Sequence, residues 1–244
     1  YPADKVVNSF GVQDDFLYDY AIPVLNQRAA TGQPFFATLL SISNHPPYVI
    51  PPFFHPKTSE PETQIVEYAD WALRQFFEEA RKQPWFDNTI FVLEGDHGKL
   101  VGDAECELPE SYNHIPLMIY SSRIQPEEKT TFGGQVDIQP TILGLLNIDY
   151  LQNNFGVDLL KEERPCMFYT ADNMVVGRND TLLYLYNYET QQELTYDIGN
   201  GKLNAVPMDD SFLPLKEYSF SMLQSAEFLV KHGKTVNSVP FTQQ

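Results

Sequence analysis

Between Asn88 and Gly98 the chain reads Asn-Thr-Ile-Phe-Val-Leu-Glu-Gly-Asp-His-Gly, and no other stretch restricts the possible folds as strongly. Thr89 to Leu93 are apolar or β-branched, which predicts a short buried strand, and Gly95 and Gly98 mark where that strand must break. Asp96 and His97 therefore fall at a strand's carboxyl end, the edge at which open α/β sheets bind ligands. A carboxylate beside an imidazole is a frequent part of a divalent-metal shell. Taken alone, such a pair reads more readily as a capping carboxylate and a surface histidine in a tight turn, so the remaining chain has to decide.

Upstream, Phe35 to Ile42 form a continuous apolar run, read as a central strand buried on both faces and ending in Ser43-Asn44-His45-Pro46-Pro47-Tyr48. Ile65, Val66, Ala69, Ala72, Leu73, Phe76, Phe77 and Ala80 recur at helical spacing and predict a helix over Glu62 to Lys82 with these residues as its inward stripe. Strand, helix and strand make a crossover unit, which favours parallel pairing and puts His45 on the same edge as Asp96 and His97. A further apolar strand begins just after Asn113-His114, so three of the five histidines lie at strand junctions. His55 and His232, in a loop and a helix, are given no role. Such a cluster can bind a metal and an anionic group, with neutral imidazoles as ligands or donors and Asp96 as the compensating charge.

The flanking sequence completes an α/β reading. Val12 to Ala30 has helical spacing, with Pro23 expected to kink or divide it, and Asp137 reads as the N-cap of a helix reaching Leu146. Short Tyr-, Val- and Leu-rich runs from Pro165 to Asp197 predict antiparallel hairpins, Asp210 to Lys231 predicts a terminal helix, and the polar tail is expected to be mobile. The expected architecture is a mostly parallel sheet flanked by helices, with a small antiparallel β appendage near the C-terminus. The expected division is an α/β part over residues 1–160, with strands and a terminal helix over 161–244 packed on it.

Composition narrows the function. With 244 residues and 43% hydrophobic content the chain can bury a sizeable core, and a net charge of −17 argues against nucleic acid and anionic lipid as partners. Two cysteines, Cys106 and Cys166, make neither a disulfide framework nor a zinc cluster. No run approaches the roughly 20 apolar residues of a membrane-spanning helix. Because the chain begins at Tyr1 without methionine or a signal peptide, it reads as a processed form or an excised fragment.

Several motifs occur in a fixed order: Phe10-Gly11-Val12 with Asp14-Asp15, Ser43 to Tyr48, Tyr68-Ala69-Asp70 with Phe86-Asp87-Asn88-Thr89, Gly95 to Gly98, Asn113 to Leu117, and Gly134 to Thr141. Over about three quarters of its length the chain thereby resembles the carboxyl-terminal part of the sulfatase-like group of the alkaline phosphatase superfamily, and within it phosphoglycerol transferases of the lipoteichoic acid synthase type. The resemblance implies that Asp96 and His97 are ligands of a catalytic divalent metal, whether manganese, zinc, magnesium or calcium. It implies that His45 and His114 hold the transferred group or protonate its leaving oxygen. The implied substrate is an anionic phosphate or sulfate ester, lipid-linked in the transferases, and the implied parent is a membrane-anchored, extracytoplasmic enzyme. The family's nucleophile and an acidic metal ligand precede the region matching Phe10, so they are expected in a missing N-terminal part of the same enzyme. Metal is accordingly expected to be weakly bound or absent in this chain. A sulfuric ester hydrolase and a catalytically incomplete binding module are the alternatives.

Overall fold

The computed structural model describes residues 3–100, 102–199 and 201–235. The expectation of a mobile tail falls largely on residues 236–244, which lie outside them. The chain divides into two compact units, one formed by Tyr1–Glu94 with Leu117–Gln125 and the other by Gly95–Pro116 with Pro126–Gln244.

In the first unit, strands β1 (Val6–Asn8) and β2 (Gly11–Val12) form a small antiparallel ladder ahead of helix α1 (Asp14–Ala29). Helix α1 buries Leu17, Ala21 and Leu25 at four-residue spacing, so one stripe faces inward. It is not divided at Pro23, division being the second of the two expected outcomes; Pro23 lies on the exposed face, where the carbonyl it leaves unpaired can meet water. Helix α2 (Pro61–Ala80) starts with proline in its first turn, where the missing N–H has no intrahelical partner to lose. Its buried stripe of Ile65, Tyr68, Ala72, Phe76 and Ala80 meets α1, and Ala21, Leu25, Phe76, Ala80, Trp85 and Phe86 form the core. Trp85 donates its indole N–H to Asn26 at 2.6 Å, so the largest ring is buried without an orphaned donor.

Strand β3 (Phe91–Glu94) follows and pairs antiparallel with β4 (Leu117–Tyr120), from Phe91 opposite Tyr120 to Glu94 opposite Leu117. The expected central strand Phe35–Ile42 carries no ladder: residues 34–42 are irregular, and Phe36 and Leu40 are 86% and 74% exposed. Its expected parallel pairing with Thr89–Leu93 is therefore not among the described ladders, all of which are antiparallel. A strand needs a neighbour to satisfy its backbone, and apolar sequence alone does not supply one.

The second unit contains helix α3 (Ile138–Leu145) and a five-stranded antiparallel meander. Its strands are β5 (Met167–Ala171), β6 (Met174–Arg178), β7 (Leu182–Asn187), β8 (Gln192–Gly199) and β9 (Lys202–Ala205), hydrogen-bonded in sequence order. The β5–β6 hairpin turns through Asp172 and Asn173, both at positive φ (46° and 64°), the pair of conformations a tight hairpin of matching twist requires. Helix α4 (Leu213–Lys231) covers one face, where Tyr184, Cys166, Phe212 and Leu215 cluster. On the other face Met174, Val176, Leu183, Leu185 and Tyr196 close around Leu108, so β6 is buried from both sides.

Candidate functional site

Directly after β3 the chain turns through Gly95-Asp96-His97-Gly98, and the local hydrogen bonds converge two side chains. Asp96 accepts the His97 N–H through Oδ1 at 3.0 Å, while its Oδ2 lies 3.8 Å from His97 Nε2. The His97 Nδ1 is 2.8 Å from the Gly98 carbonyl; a carbonyl only accepts, so Nδ1 carries the proton and Nε2 is the basic nitrogen of the neutral ring. Gly98 donates to the Tyr112 carbonyl at 2.7 Å, and a Cβ at Gly98 would run into the Ser111 carbonyl oxygen. Glycine here is a matter of space. Gly95 in turn faces the Ile115 side chain, so the Asp96–His97 turn is laid against the segment carrying His114.

That segment is held from the sheet. Arg178 on β6 pairs with the Glu110 carboxylate, and the Glu110 carbonyl accepts the N–H groups of Asn113 and His114 at 2.9 and 2.8 Å. Tyr196 on β8 donates to Glu107, and Leu108 is buried among the sheet's apolar side chains. The Asn113 amide nitrogen is buried with no acceptor among the described residues.

His45 lies in the other unit, on a turn clamped to the start of α1. Buried Asp14 accepts the N–H groups of Ile42 and Ser43, both at 3.0 Å, while Ser43 Oγ accepts from Asp14 N and donates to Gln13. Gln13 donates to the Val49 carbonyl at 2.7 Å, closing the turn. The His45 ring lies tilted against Phe10, centroids 4.1 Å apart, and its Nδ1–H donates to the Pro46 carbonyl at 2.7 Å, leaving Nε2 as the unprotonated nitrogen, as in His97. On α1, burial and the charge of Asp14 push the Tyr18 phenol up to about 12.

Asp96 and His97 are thus brought together, with the His114 segment bonded beside them, and His45 belongs to the first unit. The oxygen and nitrogen offered by Asp96 and His97 suit two neighbouring positions around a divalent ion, since ligands at about 2.1 Å on a tetrahedral ion lie roughly 3.4 Å apart. Among the described residues, however, no three His, Cys, Asp or Glu side chains cluster as a metal site. The donor set fits two of the three or four ligands such a site uses. Sequence reading missed Gln13, Glu110, Arg178 and Gln135, whose partners lie far along the chain. For Gln13 and Gln135 the signal was their place inside or beside motifs already singled out.

Residues 2–148 match the sulfatase family model. Lipoteichoic acid synthase 1 of Bacillus subtilis is 27% identical over 221 residues, covering 82% of this chain and 33% of that protein. The lipoteichoic acid synthase of Staphylococcus saprophyticus is 28% identical over 182 residues, covering 64% of this chain and 27% of that protein. Among solved structures, a Vibrio parahaemolyticus protein in the alkaline phosphatase superfamily superposes with a TM-score of 0.81 at 25% identity, over 95% of this chain and 58% of that one. A lipoteichoic acid synthase from Listeria monocytogenes gives 0.73 at 23% identity, over 91% and 60%. The chain spans about a third of the length of the curated relatives it matches. The structural likeness shows an α/β fold of the alkaline phosphatase kind.

Proposed function

Because the chain belongs to the sulfatase family, we propose that it is the carboxyl-terminal part of a metal-dependent enzyme that transfers or hydrolyses a phosphodiester-linked group, as a phosphoglycerol transferase does. The observation that carries this reading is the convergence of Asp96 Oδ2 and His97 Nε2 on a turn locked between Gly95 and Gly98. In the proposal Asp96 and His97 hold the divalent ion, which when bound neutralises charge on the ester and acidifies a hydroxyl. His45 and His114 hold the transferred group or protonate its leaving oxygen, and for His45 the nitrogen free to do so is Nε2, once it has taken up a proton. The buried Asn113 side-chain amide, without an acceptor among the described residues, is a donor that suits an anionic oxygen and repels a cation.

The nucleophilic hydroxyl and the remaining metal ligands are assigned to a part of the longer enzyme outside these 244 residues. We place that enzyme outside the cytoplasm on a membrane anchor, with an anionic, lipid-linked ester as substrate. No helix among the described residues is long and apolar enough to cross a membrane. The test is to assay this chain and its longer parent on a phosphodiester, a phosphomonoester and a sulfate ester with added manganese, zinc or magnesium. The expected result is metal-dependent turnover of the phosphodiester by the parent alone, lost on His97→Ala. Preference for the sulfate ester would make the enzyme a sulfatase, and turnover by the isolated chain that His97→Ala abolishes would overturn the assignment of the nucleophile.

A further inference from the structure

Gln135 opens a short 3₁₀ turn (Gln135–Asp137) ahead of α3, and its side-chain amide reaches back across the chain to the Asp96 turn. Nε2 donates to the Gly95 carbonyl at 3.3 Å and to the Asp96 carbonyl at 3.0 Å. One amide therefore ties both peptides that set the direction of the Asp96 side chain.

The turn bearing Gln135 is itself anchored from beneath. Asp137 is fully buried, and its carboxylate accepts four hydrogen bonds: Gly134 N and Arg164 Nε on Oδ2, Val157 N and Arg164 Nη2 on Oδ1, at 2.5 to 2.8 Å. Arg164 also donates to the Phe155 carbonyl, so the bidentate pair leaves the Gly134–Asp137 backbone little freedom. The path from buried ion pair to Gln135 to Asp96 is continuous, and all of it lies within one unit.

We propose that Gln135 is the positioning residue of the Asp96–His97 ligand pair, holding the Asp96 peptide so that Oδ2 and His97 Nε2 face a common ion. The inference rests on the metal reading given above. Groups of this kind, which orient a ligand without touching the ion, tune affinity by about ten- to a hundredfold. Because Gln135 is exposed and makes these bonds at the surface, its removal leaves the core intact.

The test is a titration of the longer parent enzyme, to which the remaining metal ligands are assigned, with manganese(II) chloride, following paramagnetic broadening of the His97 ring protons, which needs no turnover. Gln135→Met keeps the side chain's length and removes both donors. The expected result is a broadening midpoint raised about tenfold in Gln135→Met, with the melting temperature and the amide protection of Gly134 and Val157 unchanged. Wild-type His97 signals that do not broaden would overturn the metal reading and this inference with it. Broadening that Asp96→Ala abolishes but Gln135→Met leaves at the wild-type midpoint would overturn the role of Gln135 alone. Loss of Gly134 and Val157 protection in Gln135→Met would show that the turn had opened, and would equally overturn it.

Discussion

Asp137 shows what a residue's neighbours in sequence can and cannot reveal. It stands where an N-cap of α3 is expected, yet its side chain makes no cap bond to that helix and turns inward to Arg164, Gly134 and Val157. Helical spacing marked the position; Arg164, 27 residues away, could not be inferred from it. The same limit governs the candidate site. Asp96 and His97 were legible because glycines bracket them, whereas the Arg178–Glu110 pair that holds the His114 segment joins residues 68 apart. Removing the guanidinium strands a fully buried carboxylate, and breaking a buried pair in this way costs about 3–5 kcal/mol. Arg164→Met is therefore expected to lower the stability of the second unit by that order and to expose the Gly134 and Val157 amides to exchange. Hydrogen exchange is the suitable measurement, because both tryptophans, Trp71 and Trp85, lie in the other unit and are blind to the change.

At the scale of elements, what carried a period was legible. Helices α1 and α2 and the hairpins after Pro165 appear where their spacing places them, although Val66 of the expected α2 stripe is exposed and Tyr68 is buried in the observed one, and β8 and β9 run past the expected end at Asp197. Phe35–Ile42 has no period, so its sequence states that it is apolar without stating what covers it, and among the described residues it pairs with no strand. Close packing between elements was also invisible. Helix α4 approaches β6 at Gly177, where a Cβ would sit 2.6 Å from Ser219 Oγ and 3.0 Å from the Leu215 carbonyl oxygen. Backbone cannot yield as a flexible side chain can, so Gly177→Val is expected to cost about 1–3 kcal/mol through overpacking. The Ser219 hydroxyl facing this contact is buried with no hydrogen-bond partner among the described residues. Ser219→Ala removes an unsatisfied group and is expected to raise stability by about 1 kcal/mol, the opposite sign at the same contact. Urea unfolding of the two variants decides both.

Across the whole molecule an acidic chain has put its buried phenols beside its own carboxylates. Burial pushes the Tyr18 phenol up to about 12, with the charge of Asp14 adding to it. Burial likewise raises Tyr68, whose hydroxyl donates to Asp15 at 2.6 Å, and it raises Tyr169 near Glu110, Tyr184 near Glu193 and Tyr196 near Glu107. In the unfolded chain each of these phenols ionises near its ordinary value of about 10. A folded pKa above the unfolded one means that the stabilisation is complete below pH 10 and is lost as pH climbs toward the folded value, since only the unfolded state releases the proton in that interval. Tyr18 and Tyr68 lie in one unit and Tyr169, Tyr184 and Tyr196 in the other, so both units are expected to weaken together above about pH 10. The measurement is phenolate absorbance recorded beside far-ultraviolet circular dichroism during an alkaline titration. These five phenols are expected to ionise only as ellipticity is lost. Tyr68→Phe, which keeps the ring and removes the ionisable hydroxyl, is expected to shift the first unit's transition to higher pH while forfeiting the bond to Asp15. Ionisation of all the tyrosines near pH 10 with ellipticity intact would contradict the coupling of phenol burial to alkaline stability.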